Sequence, residues 1–143
     1  MNISEQSLVT GGDDHFLPKL ITAINQATRI DIAVSFIRSS GLELIKPALE
    51  DALEADVKIR IITSGYLHIT EPKALGALMI LQEKGAQVKI YESGNTAFHM
   101  KSYIFVHRED RSSKDGIAYV GSSNISHSAL NHGLEWNLRI TSS

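Results

Sequence analysis

The run Phe98-His99-Met100-Lys101-Ser102-Tyr103-Ile104-Phe105 reads as a strand, and two of its residues carry chemistry. Residues two apart on a strand point to the same face, so His99 and Lys101 share a side. An imidazole beside a long ammonium is a poor choice for a hydrophobic core, because burying the lysine charge unpaired is expensive. An anion is therefore expected opposite them, although a lone His-x-Lys pair is better read as a solvated sheet edge. A second segment, Tyr119-Val120-Gly121-Ser122-Ser123-Asn124, ends a strand in a glycine followed by hydroxyl and amide side chains, which are short hydrogen-bond donors. A third, Gly133-Leu134-Glu135-Trp136-Asn137, brings a carboxylate in a final strand. Taken singly, these two are a routine turn and an exposed strand.

The surrounding pattern predicts the frame that would position them. Asp13 or Asp14 caps a helix whose face is Phe16, Leu17, Leu20, Ile21 and Ile24, with Pro18 early enough to be tolerated. Ile30 to Ile37 reads as a strand. Ser40-Gly41-Leu42-Glu43 has capping-box spacing for a helix reaching about Ala55, which Pro47 should kink or split. Val57 to Thr63 is a β-branched strand, Thr70-Glu71-Pro72 opens a helix that Gly85 closes, and Gln87 to Tyr91 repeats the alternation. From Phe98 onward strands dominate: Phe98 to Val106, Ile117 to Val120 and Leu134 to Ile140. Alternating units followed by strands imply α/β architecture, a mixed β-sheet with helices on both faces, in one domain over residues 1–143.

Composition narrows the function. The chain has 143 residues, 43% hydrophobic and 21% charged, enough for one core without staples. Zero cysteines exclude disulfide scaffolds, thiolate metal sites and a cysteine nucleophile. With 14 Lys+Arg against 16 Asp+Glu the net charge is −2, so any contact with a polyanion must be local. The longest central apolar run, Ala77 to Leu81, is too short to span a bilayer, and the polar start is no signal peptide, so a cytoplasmic location without membrane attachment is expected.

Together, His99-x-Lys101, Gly121-Ser122-x-Asn124 and Glu135 resemble the half-site signature of the phospholipase D superfamily, His-x-Lys-x4-Asp followed by Gly-Ser-x-Asn. The aspartate slot after the four intervening residues holds Val106, a departure that puts supporting hydrogen bonds in doubt more than the nucleophile. The wording from Gly121 to Leu130 and from Gly133 to Asn137 is similar to the PLD-like domains at the front of bacterial helicases and in some restriction endonucleases, which favours DNA over lipid. On that resemblance the chain is compatible with one module of a larger polypeptide, linked to a helicase.

The resemblance implies a metal-independent phosphodiesterase, a nuclease needing no cofactor, built by pairing two half-sites in a symmetric homodimer. His99 of one copy would attack phosphorus, and His99 of the other would protonate the leaving oxygen. Lys101 and Asn124 would hold phosphoryl oxygens, Ser122 would add a donor, and Glu135 would orient a His99 ring. Arg108, Arg111 and Lys114, in a loop of mixed charge, are weaker candidates for touching a nucleic-acid backbone. Trp136 reads as a core or dimer-interface anchor, and Leu75, Leu78, Met79 and Leu81 as core. A rival metal set, His99, His107, His127, His132 and Glu135, lacks the spacing of zinc helices. His15 and His68 read as solvated. The competing functions are a catalytically silent module for DNA binding or dimerisation and, lower, a phospholipid phosphodiesterase.

Overall fold

The computed structural model describes residues 7–65, 69–92, 94–109 and 114–142. His68 and Arg111 lie outside the described residues, as do the side chains of Arg108 and Lys114. The chain runs β1 (Leu8–Gly11), α1 (Phe16–Gln26), β2 (Arg29–Val34), α2 (Ser39–Glu54), β3 (Lys58–Ser64), α3 (Pro72–Glu83), β4 (Gln87–Tyr91), β5 (Lys101–Glu109), β6 (Lys114–Gly121), α4 (His127–Asn131) and β7 (Leu134–Thr141). The seven strands form one sheet in the order β1-β7-β6-β5-β2-β3-β4. β2, β3 and β4 are parallel, joined by helical crossovers, and β5, β6, β7 and β1 continue as antiparallel neighbours.

This is the expected α/β class with a mixed sheet. The helices, however, do not divide between two faces: α2 touches α1, α3 and α4, and α1 touches α4, so they form one layer. Both crossovers step the same way along the sheet, which places α2 and α3 on the same side. The core lies between that layer and the sheet. Phe16 of α1 stands edge-on to Tyr103 at 5.2 Å and to Tyr119 at 5.1 Å, closing α1 onto β5 and β6. In β2 alternate residues Ile30, Ile32 and Val34 are buried, as one covered face requires.

The other sheet face carries two characters. Leu8, Ile104, Val120, Trp136 and Ile140 are exposed on the antiparallel half. On the parallel half Arg60 grips Asp31 with two bonds, 2.6 and 2.9 Å, and Arg29 stands 3.4 Å from the same carboxylate. The Arg60 hydrogen bond outweighs desolvation and holds Asp31 below its ordinary value. A depressed carboxylate contributes stability that is complete above the unfolded value and is lost as pH falls through the folded one. Asp31→Asn should therefore flatten the acid limb of a melting-temperature profile below about pH 4. An unchanged limb would remove this pair from the acid response.

Several local expectations fail for tertiary reasons. His15, not Asp13 or Asp14, occupies the α1 N-cap, and Asp14 pairs with Lys19 at 2.7 Å instead. α2 begins at Ser39, ahead of the capping box, because Glu71 supplies the acceptor: its carboxylate takes bonds from Ser39 N at 3.0 Å and Ser39 Oγ at 2.7 Å. Those two bonds, the hydroxyl first, keep Glu71 below its ordinary value. Pro47 does not split the helix, which runs unbroken from Ser39 to Glu54, and both Pro47 and Glu43, whose carbonyl loses its partner, are exposed residues where water can serve instead. Met79, expected in the core, is 64% exposed, and Trp136 is 69% exposed, so it is no core anchor.

Candidate active site

The strand directions bring the chemically interesting residues to one edge. The C-terminal ends of β2, β3, β4 and β6 and the N-terminal ends of β5 and β7 all lie there, with Val34 opposite Lys101 and Gly121 opposite Asn137. β5 begins only at Lys101, so His99 sits in the segment leading into the strand rather than on it, and its side chain is exposed. His99, Lys101 and Asn124 nevertheless line one pocket of about 100 Å³, completed by Ser35, Phe36, Ile69 and Phe98.

Lys101 is oriented on both sides. Its Nζ donates to Ser35 Oγ at 3.1 Å and to the His99 carbonyl at 3.0 Å, so the ammonium is held beside the histidine's own backbone. Asn124 is 7% exposed and accepts the Phe36 N–H on Oδ1 at 3.2 Å. With the oxygen committed, the amide nitrogen is the group left for the pocket. A cation and an amide N–H donor beside an imidazole are what a phosphoryl group would require.

The segment carrying Asn124 is buried and polar, and several of its groups are tied down. Ser123 N donates to Asn137 Oδ1 at 3.4 Å, and Asn137 Nδ2 donates to Ser123 Oγ at 2.8 Å. Tyr103 OH donates to the Ser123 carbonyl at 2.8 Å, and the Arg38 N–H to the Ile125 carbonyl at 2.8 Å. Ser126 caps α4 by accepting the Ala129 N–H at 3.2 Å. Burial, and secondarily the charge of Glu135, push the Tyr103 phenol far above its ordinary value, so it stays a neutral donor. Tyr103→Phe strands a buried carbonyl and should cost about 1–2 kcal/mol, read as a fall of roughly 2–8 °C in Tm; no change would mean that the loop is held without it.

Ser122 and Glu135 form a second group at the same edge. The Ser122 hydroxyl donates to Glu135 Oε2 and accepts the Trp136 N–H at 3.0 Å. In this state the Ser122 proton goes to Glu135 rather than to the pocket. Val106, in the aspartate slot, lies five residues along β5 from Lys101, about 17 Å away, opposite Arg29 and Gly116. The departure from the motif therefore falls at the far end of the strand. The rival metal set is dispersed: His107 lies near that far end, while the rings of His127 and His132 meet each other at 4.5 Å, tilted by 59°. Among the described residues no three His or carboxylate side chains converge on a metal position.

The pocket-lining Ser35 and Phe36 carry no motif signal. The one available clue is a hydroxyl within the apolar run Ile32 to Ile37, at the point where the strand stops.

A mixed sheet with histidine, lysine and asparagine gathered at one edge defines a phospholipase D-type fold. The chain belongs to that superfamily: residues 20–143 match the model of the family described as "Cardiolipin synthase, PLD-like domain", a phosphodiesterase-type domain. No match is found among curated proteins. Among solved structures, phosphatidylserine synthase from Haemophilus influenzae is similar at TM-score 0.69 and 11% identity, over 99% of this chain and 34% of that one. Polyphosphate kinase from Porphyromonas gingivalis is similar at TM-score 0.63 and 16% identity, over 86% of this chain and 20% of that one. The archaeal chromatin protein TrmBL2, whose structure shows a mode of DNA binding, is similar at TM-score 0.58 and 14% identity, over 93% and 44%. These likenesses are of fold, and the chain spans less than half the length of each. No helix among the described residues is long and apolar enough to cross a membrane.

Proposed function

We propose that this chain is a metal-independent phosphodiesterase acting on DNA, through a phosphohistidine intermediate at a site shared by two copies. The observation that carries the reading is the convergence of His99, Lys101 and Asn124 on one pocket. A nitrogen of the His99 ring attacks phosphorus. The N–P bond forms as the P–O bond breaks, and the electron pair leaves on oxygen, which takes a proton from His99 of the partner subunit. Water, deprotonated by that second histidine, then attacks phosphorus, the N–P bond breaks, and the remaining ester leaves as a phosphomonoester. The two Lys101 ammoniums and the Asn124 amides stabilise the equatorial oxygens, the work a cation would otherwise do. Glu135, steadied by Ser122, is assigned to orienting a His99 ring.

A single motif histidine per chain, His99, supports the homodimer, because two roles of opposite protonation are needed. DNA as substrate is supported by the resemblance to helicase-linked domains and by a relative in fold that binds DNA. The same resemblance supports the chain working as one domain within a larger helicase-linked protein. Arg108, Arg111 and Lys114 are assigned as backbone contacts of lesser weight.

Hydrolysis of bis(p-nitrophenyl) phosphate and of plasmid DNA in excess EDTA tests the reading. Activity that survives chelation is expected; activity abolished by EDTA would overturn it. Binding assays separate the alternatives. Salt-sensitive DNA binding without cleavage would favour the silent module, and binding to anionic vesicles but not DNA would favour a phospholipid substrate.

A further inference from the structure

The last residue pair after β2, Ser35-Phe36, holds one element of each motif. The Ser35 hydroxyl accepts the Lys101 ammonium at 3.1 Å, and the next peptide N–H, that of Phe36, fixes Asn124 at 3.2 Å. Ser35 is itself immobilised. It is 8% exposed, its hydroxyl proton points at the Met100 carbonyl at 3.4 Å, and its own carbonyl accepts Ser64 Oγ at 2.8 Å. An alanine would fill nearly the same volume, so the hydroxyl at this buried strand end does a polar task.

That task concerns geometry. A lysine on its four-carbon stem samples many rotamers, and its ammonium has three donors in tetrahedral arrangement. Two are committed, to Ser35 Oγ and to the His99 carbonyl. The third direction is then fixed, and Lys101 is one of the residues that line the pocket. Val34 stands opposite Lys101 in the ladder, so the end of β2 is registered against the start of β5 and cannot drift from it.

We infer that Ser35 is a positioning residue: its hydroxyl sets the Lys101 ammonium beside His99, as the adjoining Phe36 N–H sets Asn124 with its Nδ2 toward the pocket. The inference rests on the phosphodiesterase reading for its catalytic consequence, and on the hydrogen bonds alone for the tether. Ser35 does not touch phosphate; it acts through Lys101.

Two measurements test it. In the first, kcat and KM for bis(p-nitrophenyl) phosphate are determined for Ser35→Ala, Lys101→Ala and the double variant, with Ser35→Thr as the version that keeps a hydroxyl. Ser35→Ala should lower kcat roughly 10-fold with KM changed less than about two-fold, since a displaced charge is missed most in the transition state. Ser35→Thr should recover most of the loss. In the Lys101→Ala background the Ser35 substitution should have no further effect on kcat. An equal loss in both backgrounds, or wild-type kcat in Ser35→Ala, would overturn the inference. In the second, the slowly exchanging ammonium resonance of Lys101, assigned by its disappearance in Lys101→Arg, is followed by NMR in intact and Ser35→Ala protein. The resonance should be sharp in the intact protein and broadened in the variant. Absence of a protected Lys101 ammonium in the intact protein would overturn the tether even if Ser35→Ala failed to fold. A protected signal that depends on Ser35 in a protein that cleaves nothing would uphold the tether and sink the phosphodiesterase reading.

Discussion

His99→Ala is expected to reduce kcat/KM for a phosphodiester by roughly 10⁴-fold while leaving the melting temperature within about 1 °C of the intact protein. The two halves of that expectation have separate origins. The activity loss is large because a symmetric site loses both histidines at once, nucleophile and acid together, and only the charge of Lys101 and the Asn124 amide remain to stabilise the transition state. The stability is spared because the imidazole is exposed and precedes the first ladder pair of β5, so its removal leaves no cavity and no broken strand bond. Mixing His99→Ala with intact chains should produce heterodimers with one histidine. Activity that falls with the square of the intact fraction would mark a shared site, and activity linear in that fraction would mean that each chain works alone.

Gly41→Ala is expected to destabilise the protein by about 3 kcal/mol, a fall of roughly 6–12 °C in Tm, and to depress activity with it. Gly41 lies on the buried side of α2, where a Cβ would stand 2.4 Å from Ser126 N and 2.5 Å from Ser126 Cα. Both are backbone atoms, so the strain is relieved only by separating α2 from the segment that follows Asn124. That segment is also where Arg38 N bonds the Ile125 carbonyl, and moving it shifts Asn124 out of the pocket. Gly76→Ala is the control in another helix. A Cβ there meets nothing within 4 Å, and the change should stabilise by about 0.5–1 kcal/mol. If Gly41→Ala melts like Gly76→Ala, the close approach is not what holds the loop.

The parts of the fold legible in the sequence are those whose signal is local. The face of α1, the Pro72 start of α3 with its Gly85 stop, and the limits of β4 follow from periodicity and from residues with restricted φ. β1 and α4 were not legible. Each is short, four and five residues, and forms only because β7 offers a ladder to the one and Ser126 a cap to the other. The α2 start departs from the capping-box expectation because its acceptor, Glu71, comes from 32 residues away. The layer of helices on a single face could not be read at all, since it depends on strand order.

The candidate site divides along the same line. His99, Lys101 and Asn124 were legible as residue types with motif spacing, and the sheet brings them to one edge. That Ser122 gives its proton to Glu135 depends on β6 lying beside β7, with Gly121 opposite Asn137. That Ser35 holds Lys101 depends on the register of β2 against β5. Neither register is written in either strand alone.

The central claim, a phosphohistidine at a site shared by two chains, is tested most directly by rapid acid-free quenching during turnover in excess EDTA, followed by mass spectrometry of the denatured protein. With bis(p-nitrophenyl) phosphate as substrate, an adduct of p-nitrophenyl phosphoryl mass on the peptide containing His99, labile to acid and limited to one per two chains, is the predicted result. Turnover without an adduct at His99, or an adduct on every chain, would contradict it.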